Sequence, residues 1–378
     1  MPDARFDVAV LGGGTGGYTA AIRAAQLGKR AAVVEANKLG GCCLHVGCIP
    51  TKALLESSGL YHKVHERGEE YGILAREARF DYERIASRRD GVVNQLWKGV
   101  QGLMRKNRIE VFEGCGVLEG DGKLRVGDDL LQADAIIVAT GSEPKSLPGI
   151  EFDGVRVVNS NDATLARELP RSVAIIGAGA VGVEFATFYR QMGSQVTLLE
   201  ALDRLVPLED EDVSRVLLQA FRKAGIDCRV GARVRGARTE GEGVVVELED
   251  GEVQAEKLLV AVGRAPLSRG IGLEKAGGEF HTVFPRNAPI PNAKAIEATT
   301  SYDGQTDVAM RIYQGDNTHV AHNELLGDFL FSGLRPGPAG KARLEITFDV
   351  NVEGILTMSA KDLETGKQMK TTVRVTQH

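Results

Sequence analysis

Two stretches of the chain share one alternation of apolar and polar positions. Residues 6–36, FDVAVLGGGTGGYTAAIRAAQLGKRAAVVEA, open with a short apolar run, break at glycines, continue with apolar residues at helical spacing and close on a second apolar run. That order predicts strand, tight turn, helix, strand. Residues 172–201, SVAIIGAGAVGVEFATFYRQMGSQVTLLEA, repeat it. Beyond residue 340 the period changes to two. The runs 342–350 (ARLEITFDV), 355–362 (ILTMSAKD) and 370–376 (KTTVRVT), separated by the turn signals NVEG and ETGK, predict an antiparallel β domain of about 100 residues.

The glycines give both α/β stretches a chemistry. Gly12, Gly14 and Gly17 make G-x-G-x-x-G, as do Gly177, Gly179 and Gly182, and Glu35 and Glu200 close the second strand of each stretch. In such a unit the first glycine turns the chain, the second admits a pyrophosphate to the backbone and the third lets helix and strand pack closely. The helix N-terminus supplies amides to the phosphates and the acidic residue faces ribose hydroxyls. All four positions recur at an offset of 165 residues, which separates paired dinucleotide sites from two fortuitous turns. Glu200 would repel a 2′-phosphate, so the second site is expected to prefer NAD to NADP. The first is expected to hold FAD, helped by Ala139, Thr140 and Gly141 at the end of the run ADAIIVATGSEP, which otherwise reads as a buried strand ending in a turn.

Between the two stretches lies GGCCLHVGCIPTK at 40–52, with Cys42, Cys43 and Cys48 around His45. Thiols near a helix N-terminus should be biased toward thiolate, which suits thiol-disulfide exchange. A zinc site would recruit His45 but must use adjacent ligands at 42 and 43, and an inert structural pair is the third possibility.

Composition narrows the functions. A net charge of −5, a pI near 5.9, 43% hydrophobic and 26% charged residues describe a globular protein without the broad basic surface that nucleic acid or anionic membrane requires. No run approaches the ~18 apolar residues of a membrane span, and the N-terminus lacks a secretory pattern. Five cysteines, three of them crowded together, do not resemble a secreted disulfide scaffold, so a cytoplasmic location is expected.

Residues 1 to about 270 resemble the pyridine nucleotide-disulfide oxidoreductases, and GGCCLHVGCIPTKALLES is most similar to dihydrolipoyl dehydrogenase. The paired nucleotide motifs, Cys43 with Cys48, ATG at 139–141 and AVGRAP at 261–266, which contributes Gly263 and Arg264 to the expected cofactor residues, fall in that family's order. The resemblance implies FAD and NAD as cofactors and a dithiol such as a lipoyl group as substrate. It implies that Cys48 lies against the flavin, that Cys43 exchanges with substrate, and that Lys52 pairs with Glu184 at the flavin-nicotinamide contact. Taken alone, Lys52 and Glu184 read as ordinary helix charges. Cys42 departs from the family, which usually has threonine there, and His45 reads as positional.

The family's later H-P-x-x-x-E segment, which supplies a catalytic base, has no counterpart around His281, His319, His322 or His378. Its Gly-Asp strand and dimerisation domain are likewise not found, so an incomplete first nucleotide domain, no family dimer interface and impaired turnover are expected. Residues 278–378 instead resemble the β-sandwich peptide-binding domain of the seventy-kilodalton heat-shock chaperones, through FPRNAPIP, the QGDN to LLGDF region, GLRPGPAG and above all FDVNVEGILTMSAKDLETGK. That resemblance implies a groove for extended apolar peptides along Leu273, Ala276, Ser301, Val308 and Met310, residues that otherwise read as sandwich core and loop. No chaperone ATPase domain, linker or helical lid is expected to accompany it.

The expected organisation is multidomain: an FAD-binding domain over 1–150, an NAD-binding domain over 151–265, a junction over 266–277 and a β-sandwich over 278–378. Three readings follow: a disulfide oxidoreductase, a peptide-binding module on a nucleotide-binding scaffold, or a chimera without joint function.

Overall fold

The computed structural model describes residues 4–75, 77–273, 283–284, 289–300, 304–315, 323–338, 340–353 and 355–374. The chain divides into two compact units, Met1–Ile271 and Gly272–His378.

The first unit opens with Ala4–Leu11 (β1), Thr15–Gln26 (α1), Ala31–Glu35 (β2), Gly41–His45 (α2), Cys48–Arg67 (α3) and Tyr82–Lys106 (α4). Four strands follow: Glu110–Glu113 (β3), Gly116–Gly120 (β4), Lys123–Val126 (β5) and Asp129–Val138 (β6). They join one mixed sheet in the order β3-β2-β1-β6-β5-β4, parallel from β3 to β6 and antiparallel beyond. Val10 and Val33, with Leu44 of α2 and Val100 and Met104 of α4, form the core on one face of this sheet.

The second half of the unit contains Ser142–Pro144 (β7), Val157–Val158 (β8), Ser160–Leu165 (α5), Ser172–Ile176 (β9), Ala180–Gln191 (α6), Gln195–Glu200 (β10), Glu211–Lys223 (α7) and Asp227–Val230 (β11). It ends with Val234–Glu240 (β12), Gly243–Leu248 (β13), Gly251–Ala255 (β14), Lys257–Val260 (β15) and Arg264–Pro266 (β16). A wholly parallel sheet, β11-β10-β9-β15-β8, lies at its centre. Such a sheet must be covered on both faces. Along β9, Val173 and Ile175 pack with Phe185, Phe188 and Leu54, while Ala174 and Ile176 pack on the antiparallel β12-β13-β14 sheet through Val244, Val246 and Val253.

Arg89 of α4 joins the two halves. It is only 1% exposed, donates from Nη1 to the carbonyls of Thr164 (2.6 Å) and Ala166 (3.2 Å), and pairs with Asp90 at 2.8 Å. A buried cation is tolerable only when paired and bonded in this way, and truncating it would strand the buried Thr164 carbonyl at about 1–3 kcal/mol, since Asp90 is half-exposed and keeps Arg167.

The second unit contains Asn292–Thr299 (β17), Asp307–Gln314 (β18), Glu324–Ser332 (β19), Arg343–Val350 (β20), Ile355–Asp362 (β21) and Gln368–Arg374 (β22). They form an antiparallel four-stranded sheet, β17-β20-β21-β22, and an antiparallel pair, β18-β19. Both contribute to one core, with Leu344, Ile346 and Phe348 meeting Phe329 and Phe331. The period-two runs read from the sequence are β20 to β22. Strands β17 to β19 lack so clear an alternation and were not separately legible.

Candidate functional site

The first dinucleotide turn follows from its glycines. Gly12 has φ +104°, and a side-chain carbon on it would stand 2.2 Å from the Ala139 carbonyl oxygen. One on Gly17 would stand 1.8 Å from the Gly12 oxygen, so only glycine lets α1 approach the turn this closely. Gly14 caps α1 without a side-chain bond, leaving the first amides of the helix open to a ligand. Glu35 is held beside the turn: Oε2 accepts from the Gly13 amide (2.6 Å) and Oε1 from Asn37 (2.8 Å).

The second turn is the same construction. Gly177 has φ +97° with its absent side chain aimed at the Ala261 oxygen (2.5 Å), and Gly182 lies against the Gly177 oxygen (1.9 Å). Gly179 caps α6, again with no side-chain bond. Glu200 accepts from Ala178 (2.7 Å) and Leu202 (3.0 Å) and is buried. A carboxylate offers about four acceptor positions, so both glutamates retain capacity for hydroxyl donors.

Ala139 donates its amide to Leu11 at 2.7 Å, which places the ATG segment beside the first turn. Thr140 gives its hydroxyl to the Leu267 carbonyl (2.6 Å), and Gly141 has φ +78°. Arg264 is turned onto Ser142, donating from Nε to its hydroxyl at 2.8 Å, and the adjacent Gly263 has φ +109°.

The cysteines occupy two helices. Cys43 lies on the short α2, while Cys48 is the first residue of α3. All three local thiols are free, and Cys43 and Cys48 are within hydrogen-bonding reach of each other. The structure corrects the expected thiolate bias. The Cys48 thiol is raised above its ordinary value, chiefly because it hydrogen-bonds to Cys43, then through partial burial and charge on Cys43. The Lys52 ammonium pulls in the opposite direction without prevailing.

One turn along α3, Lys52 Nζ meets both carboxylate oxygens of Glu184 on α6, at 2.6 and 2.8 Å. The ion pair therefore bridges the two halves of the unit on the face that carries Cys48. His45 is turned elsewhere: its Nε2 bonds to the Leu39 carbonyl (2.9 Å) and its ring meets Trp97 edge-on at 5.9 Å. Among the described residues no cluster of three or more His, Cys, Asp or Glu could hold a metal ion.

In the second unit Val308 and Met310 of β18 stand opposite Phe331 and Phe329 and pack on the shared core. Val308 and Met310 are both half-buried. Leu273 is half-buried, while Ala276 and Ser301 lie outside the described residues.

Sequence reasoning missed the loops that brace the two turns. Gly40 donates to the Gly13 carbonyl (2.8 Å) and Val206 to the Ala178 carbonyl (2.8 Å). The 165-residue repeat relates the two acceptors, Gly13 and Ala178, but the donors stand 166 residues apart, so the repeat alone would not have found them.

The profile described as pyridine nucleotide-disulphide oxidoreductase matches residues 6–284, through both turns, the cysteines and the bridging ion pair. The chain belongs to that family. A dihydrolipoyl dehydrogenase of Bacillus subtilis is 41% identical over 356 residues, covering 88% of this chain and 73% of its own. Another, from Thermus scotoductus, is 40% identical over 279 residues, covering 72% and 60%. The solved LpdA of Mycobacterium tuberculosis superposes with TM-score 0.66 at 28% identity, over 72% of this chain and 61% of that one. A flavoprotein disulfide reductase of Escherichia coli, RclA, gives 0.63 at 29%, over 72% and 60%. Apart from the Bacillus enzyme, the chain spans about 60% of the length of these relatives. The first unit thus has the α/β fold of flavoprotein disulfide reductases. A second profile, described as Hsp70 protein, matches residues 239–378 and overlaps the first over residues 239–284.

Members of this oxidoreductase family use FAD and NAD(H). The two uncapped helix N-termini, the side-chain-free turns and the glutamates with spare acceptor capacity fit two dinucleotides. No helix among the described residues is long and apolar enough to cross a membrane.

Proposed function

We propose that the first unit is the core of a dihydrolipoyl dehydrogenase-type disulfide oxidoreductase of the cytoplasm, with Cys43 and Cys48 as its exchanging pair. The observation that carries this reading is the meeting of those thiols with the Lys52–Glu184 ion pair between two matched dinucleotide turns. Residues 1–150 would hold FAD through Gly12, Gly14, Gly17, Glu35 and Ala139–Gly141. Residues 151–265 would hold NAD through Gly177, Gly179, Gly182, Glu200, Gly263 and Arg264. When bound, these cofactors supply the two-electron chemistry that side chains lack.

The thiol steps belong to the chain. With Cys43 and Cys48 joined as a disulfide, a substrate thiolate attacks the Cys43 sulfur and expels Cys48 as thiolate beside the Lys52 ammonium. The second substrate thiol, deprotonated, then displaces Cys43, leaving a substrate disulfide and two reduced cysteines. Deprotonating the substrate requires a base. His45 is engaged with Leu39, and no histidine of the chain stands in an H-P-x-x-x-E segment, so dithiol turnover by this chain alone is proposed to be impaired. Glu200, buried and fixed by two amides, favours NAD over NADP.

The test is the visible spectrum of the purified protein during anaerobic NADH addition. A flavin band converting to a long-wavelength charge-transfer band is the expected result. A protein that takes up no flavin on reconstitution overturns the reading.

The Hsp70 match and the common core of its two sheets favour a second activity for residues 278–378, a β-sandwich peptide-binding module. Anisotropy of a labelled extended apolar peptide tests it, and absence of saturable binding removes it. If both assays fail, the reading left is a chimera without joint function.

A further inference from the structure

The upper half of β6 is an edge inside a sheet. β1 pairs along one side of it through Val138, but on the other side β5 pairs only with Asp129–Gln132, and the Ala133 amide ends the ladder on the Gly122 carbonyl. Among the described residues no strand pairs with 134–138 on that side. These positions are also uncovered: Ile137 is 39% and Val138 43% exposed, although the strand stands third from the β4 edge and fourth from the β3 edge of a six-stranded sheet.

The true outer strands of both large sheets are blunted against association. β3 reads EVFE, with Glu110 held by Arg30. β4 carries an irregularity between Leu118 and Gly120, β8 is two residues long, and β11 presents the Asp227–Arg229 pair. Charge, bulges and shortness are the usual means of keeping an edge from pairing. The segment Ala135–Val138 has none of them: it is apolar, without proline or charge. Its neighbour Asp134 is neutralised by Arg5 at 3.0 Å.

The geometry points to a second copy of this chain as the occupant, pairing antiparallel across a two-fold axis at Ile136. In that register the two Asp134 residues fall at opposite ends, four positions or about 13 Å apart along the strand, so like charges do not oppose each other. A parallel copy would set them side by side. The two-fold arrangement is isologous and closes at two chains. A five-residue ladder buries less than the roughly 1,200 Å² of a stable interface, so the pair is weak and depends on concentration.

The experiment is light scattering coupled to size exclusion on the full chain at rising concentration, with hydrogen exchange read at 134–138. The mass is expected to double and exchange there to slow severalfold as concentration rises, both effects vanishing in Ile137→Lys. Helical content and exchange in β1 show whether that variant folds, and Val138→Lys provides a second charge if it does not. A mass and exchange pattern independent of concentration overturns the inference. So does association that survives both substitutions, or growth past two chains.

Discussion

The two dinucleotide turns are one device built twice, and they differ in the residue that braces each from outside. In the first, the amide bonded to the turn carbonyl belongs to Gly40, at φ +109°; in the second it belongs to Val206, at φ +40°. A β-branched residue in that region is strained by roughly 1–3 kcal/mol. The surroundings explain how it persists. Leu205 is fully buried in the core, its carbonyl is held by the Ser214 hydroxyl, and the Val206 carbonyl receives the Glu209 amide. The first brace instead runs directly into Gly41 and the cysteine helix, where a side chain on Gly40 would meet Leu44 at 2.2 Å. Tertiary contacts hold one loop and glycine frees the other, so equal hydrogen bonds do not require equal residues.

The sharpest way to break the likeness is to fill the helix-strand contact on one side at a time. Gly17→Ala and Gly182→Ala both force backbone to move, at about 3 kcal/mol or more. Gly17→Ala should abolish flavin uptake, while Gly182→Ala should retain flavin and weaken NADH binding at least about 100-fold, as read by absorption and by fluorescence titration. Loss of both ligands in either variant would mean that the turns are not independent.

Removing the glutamates is a milder cut. Each carboxylate secures two amides, so Glu200→Ala should cost NADH binding about 10–100-fold, with Glu35→Ala doing the same for flavin. Glu200→Ala should also narrow the preference for NADH over NADPH, measured by parallel titrations.

Lys52→Met tests the bridge. The pair is half-exposed, so thermal stability should shift little. The sign for Cys48 is definite: Lys52 is what pulls its thiol down, so without it the raised value rises further, and alkylation of Cys48 at pH 8 should slow severalfold. In the wild type that rate should still be climbing above the ordinary thiol range. Cys228, buried and pushed up to about 11, should remain unmodified until the protein is unfolded, as peptide mass mapping would show.

The smallest effect is expected from Val206→Gly. Relief of strain is offset by about 1 kcal/mol of added unfolded-chain entropy, so the melting temperature should hardly move, while the freed loop loosens NADH binding a few-fold.

Much of the first unit was legible because its constraints are local. A glycine facing a carbonyl at 1.8 Å leaves a mark in the sequence, and so does a run such as SVAII buried on both faces. The properties of Cys48 were not legible from helix position, because they depend on Lys52, four residues later, and on Cys43, five residues earlier across a turn whose shape the sequence does not display. The exposed half of β6 read as an ordinary apolar strand for the same reason: whether a strand has a neighbour is decided elsewhere in the chain. In the second unit, Val308 and Met310 could be read as groove or core, and the sequence could not show that they are half-buried and pair with Phe331 and Phe329, since that depends on which strand β18 meets.

Gly14 and Gly179 each cap a twelve-residue helix without a side-chain bond. A serine or aspartate there would add about a few tenths of a kcal/mol over glycine and would place a side chain among the first amides, and both helices forgo it. The cofactor is then the cap, and its free concentration becomes a folding variable. At a hundredfold over its dissociation constant each dinucleotide would add about 2.7 kcal/mol. Cells short of flavin or nicotinamide would hold less of this protein at the same rate of synthesis, and its abundance would report their cofactor supply.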